Sequence, residues 1–324
     1  MELLNDEFIS GEKFQLLCNV SIGSDHDIAY NPVIKAAVAN KTMDYMNIEK
    51  LSKMPVDGYN NPRYIFLYSH HIKRFGQADI LTKFANEFIL LTHNSDQNIE
   101  ICKYVDNILA CNKLIHWWGQ NLNIPESYSS KLSFLPIGIA NSMWPHGNPA
   151  IYSTISKYKA KAIAITNLDN STDTDIEPIS LNAFYFAFSE GTNPIERGNC
   201  KKYVSRNGIK FESSNLSPQE YIKKLKDYKF AICPIGNGLD THRLWECFYN
   251  GIIPIVARNG LNENIAKYIP IIMIDSWNAF NIQHINNLYI QLKNQYTHDE
   301  IYNNKYYYFS TWKNRIFTEK SNKT

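Results

Sequence analysis

The feature that most constrains this chain is a series of short runs whose apolar residues fall on consecutive positions rather than in alternation. They are Phe14–Val20, Tyr64–Tyr68, Phe88–Thr92, Leu132–Ile137, Ala162–Thr166, Ala183–Phe188, Phe230–Cys233, Ile252–Val256 and Ile271–Ile274. Strands read this way when both faces of a parallel sheet are covered by helices. Helix-like stretches lie between them at Pro32–Asn40, Ile80–Asn86, Asn98–Leu109, Pro218–Tyr228, Asp240–Asn250 and Asn278–Gln295. Strands alternating with helices of this length predict a doubly wound α/β fold.

At 324 residues the chain exceeds one ordinary core, and two domains of about 150 residues are expected. The polar stretch Asn167–Pro178 (NLDNSTDTDIEP) is the natural boundary, dividing the chain into 1–170 and 171–324, or else a long surface loop. Trp312 and the run Tyr306–Tyr308 predict an aromatic terminal helix that packs back on the first domain or forms a local cap. The 33 basic and 31 acidic side chains leave a formal charge of +2, so any anion site must be local and a nucleic-acid partner is not expected. The N-terminal MELLNDEFISGEKFQ has acids where a signal peptide needs bases, and no run approaches the roughly 20 apolar residues of a membrane span. The six cysteines show no CxxC and no Cys/His quartet, which predicts neutral thiols in a reducing, cytoplasmic setting.

The segment richest in chemistry is Lys229–Val256, KFAICPIGNGLDTHRLWECFYNGIIPIV. Phe230–Cys233 reads as a buried strand that Pro234 stops. Gly236-Asn237-Gly238 tolerates unusual backbone angles, Asp240 or Thr241 fits a helix N-cap, and Gly251 stands where a C′ glycine belongs. On a helical projection His242, Arg243, Glu246, Tyr249 and Asn250 share one arc, and Leu244, Trp245, Cys247 and Phe248 the other. A glycine turn leading into a helix N-terminus suits an anion. Arg243 then offers a bidentate contact to a diphosphate, and Glu246 an acceptor for a ribose diol. The plain alternative is a surface helix with Arg243 and Glu246 paired in water. G-x-G-x-x-G and G-K-[ST] are both absent, which counts against dehydrogenases, NAD-dependent epimerases and P-loop enzymes.

The core P-x-G-N-G-x-D-x-H-R-x-W-E with its G-I-I-P-I-V tail resembles the donor-binding segment of exostosin-type glycosyltransferases, above all the soluble exostosin-like enzymes of large DNA viruses and some bacteria. Cys247 and Asn250 stand where small or aliphatic residues are more usual, and neither disturbs Arg243 or Glu246. More loosely, Phe184–Arg197 is similar to the strand and loop that open the nucleotide-binding domain, bringing Asn193 and Arg197 near the phosphates. Leu90–Asn98 and Leu135–Asn148 are similar to acceptor-domain loops. The resemblance implies a GT-B architecture of two Rossmann-like domains facing a cleft, with a nucleoside diphosphate sugar as donor, a glycan or other hydroxyl as acceptor, and neither metal nor cofactor. It leaves nucleotide, sugar and acceptor open, and the alternative is a non-catalytic binding protein on the same fold.

An inverting transferase, the form expected here, needs a base for the acceptor hydroxyl. Asp96 and His93 are the leading candidates and His70 the third, all following strand-like or helix-like runs in the first half. The alternatives are that Asp96 caps a helix near Asn98 and that His70 and His71 form a capped turn, pointing apart. Trp117, Trp118 and Trp144 either stack on sugar rings or belong to the core. Of two D-x-D triplets, Asp25-His26-Asp27 is a metal site or the lead-in to a helix, and Asp173-Thr174-Asp175 a solvated loop. Arg243→Ala and Glu246→Ala are expected to weaken nucleotide binding with the fold intact.

Overall fold

The structure, a computed structural model, describes residues 7–152, 179–212 and 215–318. The expected strand Ala162–Thr166, the boundary Asn167–Pro178 and the triplet Asp173-Thr174-Asp175 lie outside the described residues. Within the described residues the chain is α/β, with one six-stranded and one four-stranded parallel sheet. It divides into two compact units, one built on each sheet.

The first unit holds Ile9–Met143, Gly238–Asp240 and residues from Trp312 onward. Its strands are β1 (Val20–Gly23), β2 (Asp44–Asn47), β3 (Tyr64–Tyr68), β4 (Phe88–His93), β5 (Leu114–Gly119) and β6 (Leu132–Phe134), in the order β2-β1-β3-β4-β5-β6. β3, β4 and β5 are buried almost throughout, as their consecutive apolar residues require. Trp312 packs edge-on against Phe134 with ring centroids 4.9 Å apart, which ties the C-terminal helix Phe309–Thr318 from Trp312 onward into this unit. The run Phe14–Val20 is not a strand. Gly11–Leu16 is helical and the strand begins at Val20, because Phe14 and Gln15 lie on the buried side of a short helix that a run of apolar residues cannot distinguish from a strand.

The second unit contains residues 144–152, 179–212, 215–237 and 241–311 of the described chain, with the short segment before Ile9. Its strands are β7 (Phe184–Tyr185), β8 (Phe230–Ile232), β9 (Ile253–Ala257) and β10 (Ile272–Ile274), in the order β10-β9-β8-β7. Phe184, Phe230, Ile253, Ile255, Ile272 and Tyr289 belong to one buried core over this sheet. The helix His242–Tyr249 closes as its sequence predicts. Gly251 has φ +68°, Ile252 N–H donates to Cys247 O and Gly251 N–H to Phe248 O, the paired bonds of a Schellman motif. No helix among the described residues is long and apolar enough to cross a membrane.

Candidate functional site

In the four-stranded unit the loops that follow β7 and β8 are joined by side chains rather than by backbone pairing. The helix Pro194–Ser205 starts at Asn193, which sits in the left-handed region at φ +56°. Its side-chain oxygen accepts the Glu196 N–H, and its Nδ2 donates to Gly236 O at 3.0 Å. Arg197, one turn into that helix, donates through Nε to Ile235 O at 3.0 Å and through Nη1 to Ser189 O at 2.8 Å. Arg243 donates to Ala187 O and, through Nε, to the Tyr221 hydroxyl at 3.4 Å, with its guanidinium over the Tyr185 and Tyr221 rings. Among the described residues neither arginine is in an ion pair, and both reach carbonyls of the one loop that leaves β7. Burial and the like charge of Arg243 both press the Arg197 guanidinium below its ordinary value.

The helix His242–Tyr249 is no surface helix. Every residue from Leu244 to Asn250 is buried, so the polar arc drawn from the sequence faces protein. Glu246 is only 4% exposed, and its carboxylate accepts the Tyr221 hydroxyl at 2.8 Å and the Tyr152 hydroxyl at 3.2 Å. It is not paired with Arg243 as the plain alternative supposed. His242 and Arg243, at the start of the helix, are half-buried, and His242 lies ring to ring with His146 at 6.0 Å. Thr241 rather than Asp240 occupies the N-cap, without a side-chain cap bond.

The glycine turn differs from expectation in its reason. Neither Gly236 nor Gly238 has a positive φ. A Cβ at Gly238 would come within 2.6 Å of Asn121 Nδ2, so close approach is what that position demands. Asn237 is exposed between the two. Gly238–Asp240 belongs to the six-stranded unit, where Asp240 accepts the Ile137 N–H at 2.8 Å and donates its own N–H to Asn121 Oδ1 at 2.8 Å.

In the six-stranded unit, the three residues expected as base meet different fates. His93 ends β4 and is 1% exposed; its Nδ1 accepts the Asn94 N–H at 2.7 Å and its Nε2 donates to Pro136 O at 3.1 Å. Both ring nitrogens are thus engaged. Asp96 is exposed in the loop beyond β4, and it caps no helix, since the next one runs Lys103–Ala110 from Cys102. His70 lies just beyond β3 in the turn Ser69–His71 and donates to Asp27 at 3.1 Å. His71 does not point apart from it but reaches the same carboxylate at 2.7 Å.

Trp117 and Trp118 are completely buried and belong to the core; the Trp117 N–H donates to Thr92. Trp144 is 43% exposed and remains accessible to a ring-shaped ligand. Four of the six free thiols are buried, and burial pushes Cys18, Cys200 and Cys247 up. Sequence reasoning named Asp27 and His71 separately and missed that they meet, because only the adjacency of β1 and β3 joins residues 44 positions apart. It also missed Tyr152 and Tyr221, whose hydroxyls no local pattern assigns to Glu246. No model of a known protein family and no curated protein matches the chain.

Proposed function

We propose that the chain is a glycosyltransferase of GT-B type that takes a sugar from a nucleoside diphosphate donor to a hydroxyl of a glycan acceptor. The observation that carries this reading is the pair of guanidiniums, Arg197 and Arg243, held by backbone carbonyls at the carboxyl ends of β7 and β8 and, among the described residues, in ion pairs with no carboxylate. Two such charges favour a bidentate anion, and a diphosphate leaving group gains charge as the sugar departs. Ligands of parallel α/β sheets gather at these strand ends. His242 and the Asn193-held Gly236 turn flank the arginines in sequence and in the fold. Glu246 supports the site from beneath, fixing Tyr221 under Arg243, rather than holding a ribose.

The acceptor belongs to the six-stranded unit in this reading, and Asp96, exposed beyond the carboxyl end of β4, is its base. The mechanism requires no cofactor. Calorimetry with UDP and GDP, alongside thermal shift with a panel of nucleotide-sugars, tests the donor site. Arg197→Gln and Arg243→Gln should each weaken diphosphate binding by about tenfold or more, the worth of a charged hydrogen bond. Unchanged affinity in both variants, or no stabilisation by any nucleotide-sugar, refutes it. Asp96→Asn should abolish transfer and keep donor affinity; donor binding without turnover in the wild type would instead make this a binding protein.

A further inference from the structure

The strand order β2-β1-β3-β4-β5-β6 contains one reversal, since β1 is followed in sequence by β2 on one side and has β3 on its other. Such a switch point opens a crevice beyond the carboxyl ends of the two flanking strands, the usual ligand site of an open parallel sheet. The residues that leave β1 and β3 there are Ser24, Asp25 and Asp27 on one side and Ser69, His70 and His71 on the other. One ligand atom from each of Asp27, His70 and His71 lies within 4.8 Å of the others.

We propose that Asp27, His70 and His71 bind a first-row divalent cation, with zinc as the best-matched ion. Two imidazoles and one carboxylate form a borderline donor set with one net negative charge, and catalytic zinc sites use three protein ligands with a position left for water or substrate. For metal–ligand bonds of about 2.1 Å, neighbouring donors on one ion stand about 3.0–3.4 Å apart. The His70 Nε2 to Asp27 Oδ1 distance is 3.1 Å and the His71 Nε2 to Asp27 Oδ2 distance 2.7 Å, so small movements suffice. Each neutral imidazole then carries its proton on Nδ1 and turns its Nε2 lone pair to the ion.

The set is preorganised from below. Asp27, 9% exposed, is the third residue of the helix Asp25–Tyr30 and closes a capping box, taking the Ser24 N–H at 2.7 Å and the Ser24 hydroxyl at 2.8 Å. Its backbone carbonyl accepts the Tyr68 hydroxyl at 3.2 Å. That hydroxyl accepts from Gln15, which in turn holds Ser21 and accepts from Asn94. A Cβ at Gly23 would approach Asp27 Oδ2 to 2.9 Å, so the carboxylate rests directly on the end of β1. Supporting hydrogen bonds of this kind orient metal ligands. His70, with 42% of its side chain exposed, leaves the outer side of the set open to solvent.

The assignment stands apart from the donor reading, since its readout is metal binding and not sugar transfer. With an ion bound, His70 is a ligand rather than a base. The full chain, dialysed against chelator, is titrated with Zn²⁺ by calorimetry and with Co²⁺ by its visible absorption. The wild type should bind one ion per chain. His70→Ala, at an exposed position that the fold does not need, should weaken binding by about a hundredfold or more, and Asp27→Asn likewise. His284→Ala, on an exposed helix face, should change nothing. Absence of saturable one-to-one binding in the wild type, or wild-type affinity in His70→Ala, overturns the proposal.

Discussion

Truncating Glu246 to alanine should destabilise the four-stranded unit by about 3–4 kcal/mol. The Tyr221 hydroxyl, buried and 2.8 Å from the carboxylate, loses its only acceptor among the described residues, and stranding a donor of a charge-assisted bond costs about 1.5–3 kcal/mol. The Tyr152 hydroxyl, at 3.2 Å, also has His146 O at 3.0 Å to receive its proton, so its loss adds only about 0.5 kcal/mol. Removing a buried methylene of the Glu246 stem adds about 0.8 kcal/mol. Glu246→Gln keeps the shape and one acceptor and should cost about half as much, and a double-mutant cycle with Tyr221→Phe should return a coupling of about 1–2 kcal/mol. Urea unfolding followed by tryptophan fluorescence is the assay, because Trp245 is buried in the same helix. A Glu246→Ala variant within about 0.5 kcal/mol of wild type would mean that the carboxylate faces water after all, as the plain surface-helix alternative supposes.

Burial and Glu246 raise the Tyr152 and Tyr221 hydroxyls far above their ordinary value, so their stabilisation is complete below about pH 10 and is lost as pH rises above it; the double Phe variant should show a flatter alkaline limb in urea midpoints. Burial alone would raise Asp27, but bonds from His70, His71 and Ser24 outweigh it and hold the carboxyl well below the usual range. Its contribution is therefore present above about pH 4 and lost as pH falls, and a metal-free His70→Ala/His71→Ala variant should lose less stability on acidification. Gly251→Ala forces a Cβ into φ +68° and should cost about 1–2 kcal/mol by thermal denaturation, with Gly251→Asn milder. Gly238→Ala must displace the Asn121 side chain and should cost about 1–3 kcal/mol by the same measurement.

The parallel sheets were legible because β3, β4, β8 and β9 are buried on both faces and their apolar residues run without interruption. Two strands escaped for opposite reasons. Asp44–Asn47 lies at the sheet edge, half-exposed and polar, so it carries no hydrophobic signal. Leu114–Gly119 is central, but His116 in its middle reads as a polar cluster; the structure satisfies that ring with the Ser133 hydroxyl at 3.0 Å. The helix end at Gly251 was readable from local chemistry alone. The environment of Glu246 was not, because helical periodicity places a side chain on an arc without saying whether water or Tyr152 and Tyr221 cover it. The meeting of Asp27 with His70 and His71 depends on strand order, which pairs sequence positions that no spacing rule connects.

The six-stranded unit draws its residues from three separate stretches, Ile9–Met143, Gly238–Asp240 and the segment from Trp312. That assignment has a consequence for biosynthesis. A ribosome that has released Met143 has delivered all six strands but not Asp240, which receives the Ile137 N–H, nor Trp312, which packs on Phe134. The sheet is thus completed by residues translated well after its last strand, and its closure waits on translation through Trp312. Chains cut short before Trp312 should therefore expose Phe134 and fall to proteases even though every strand of that sheet is present.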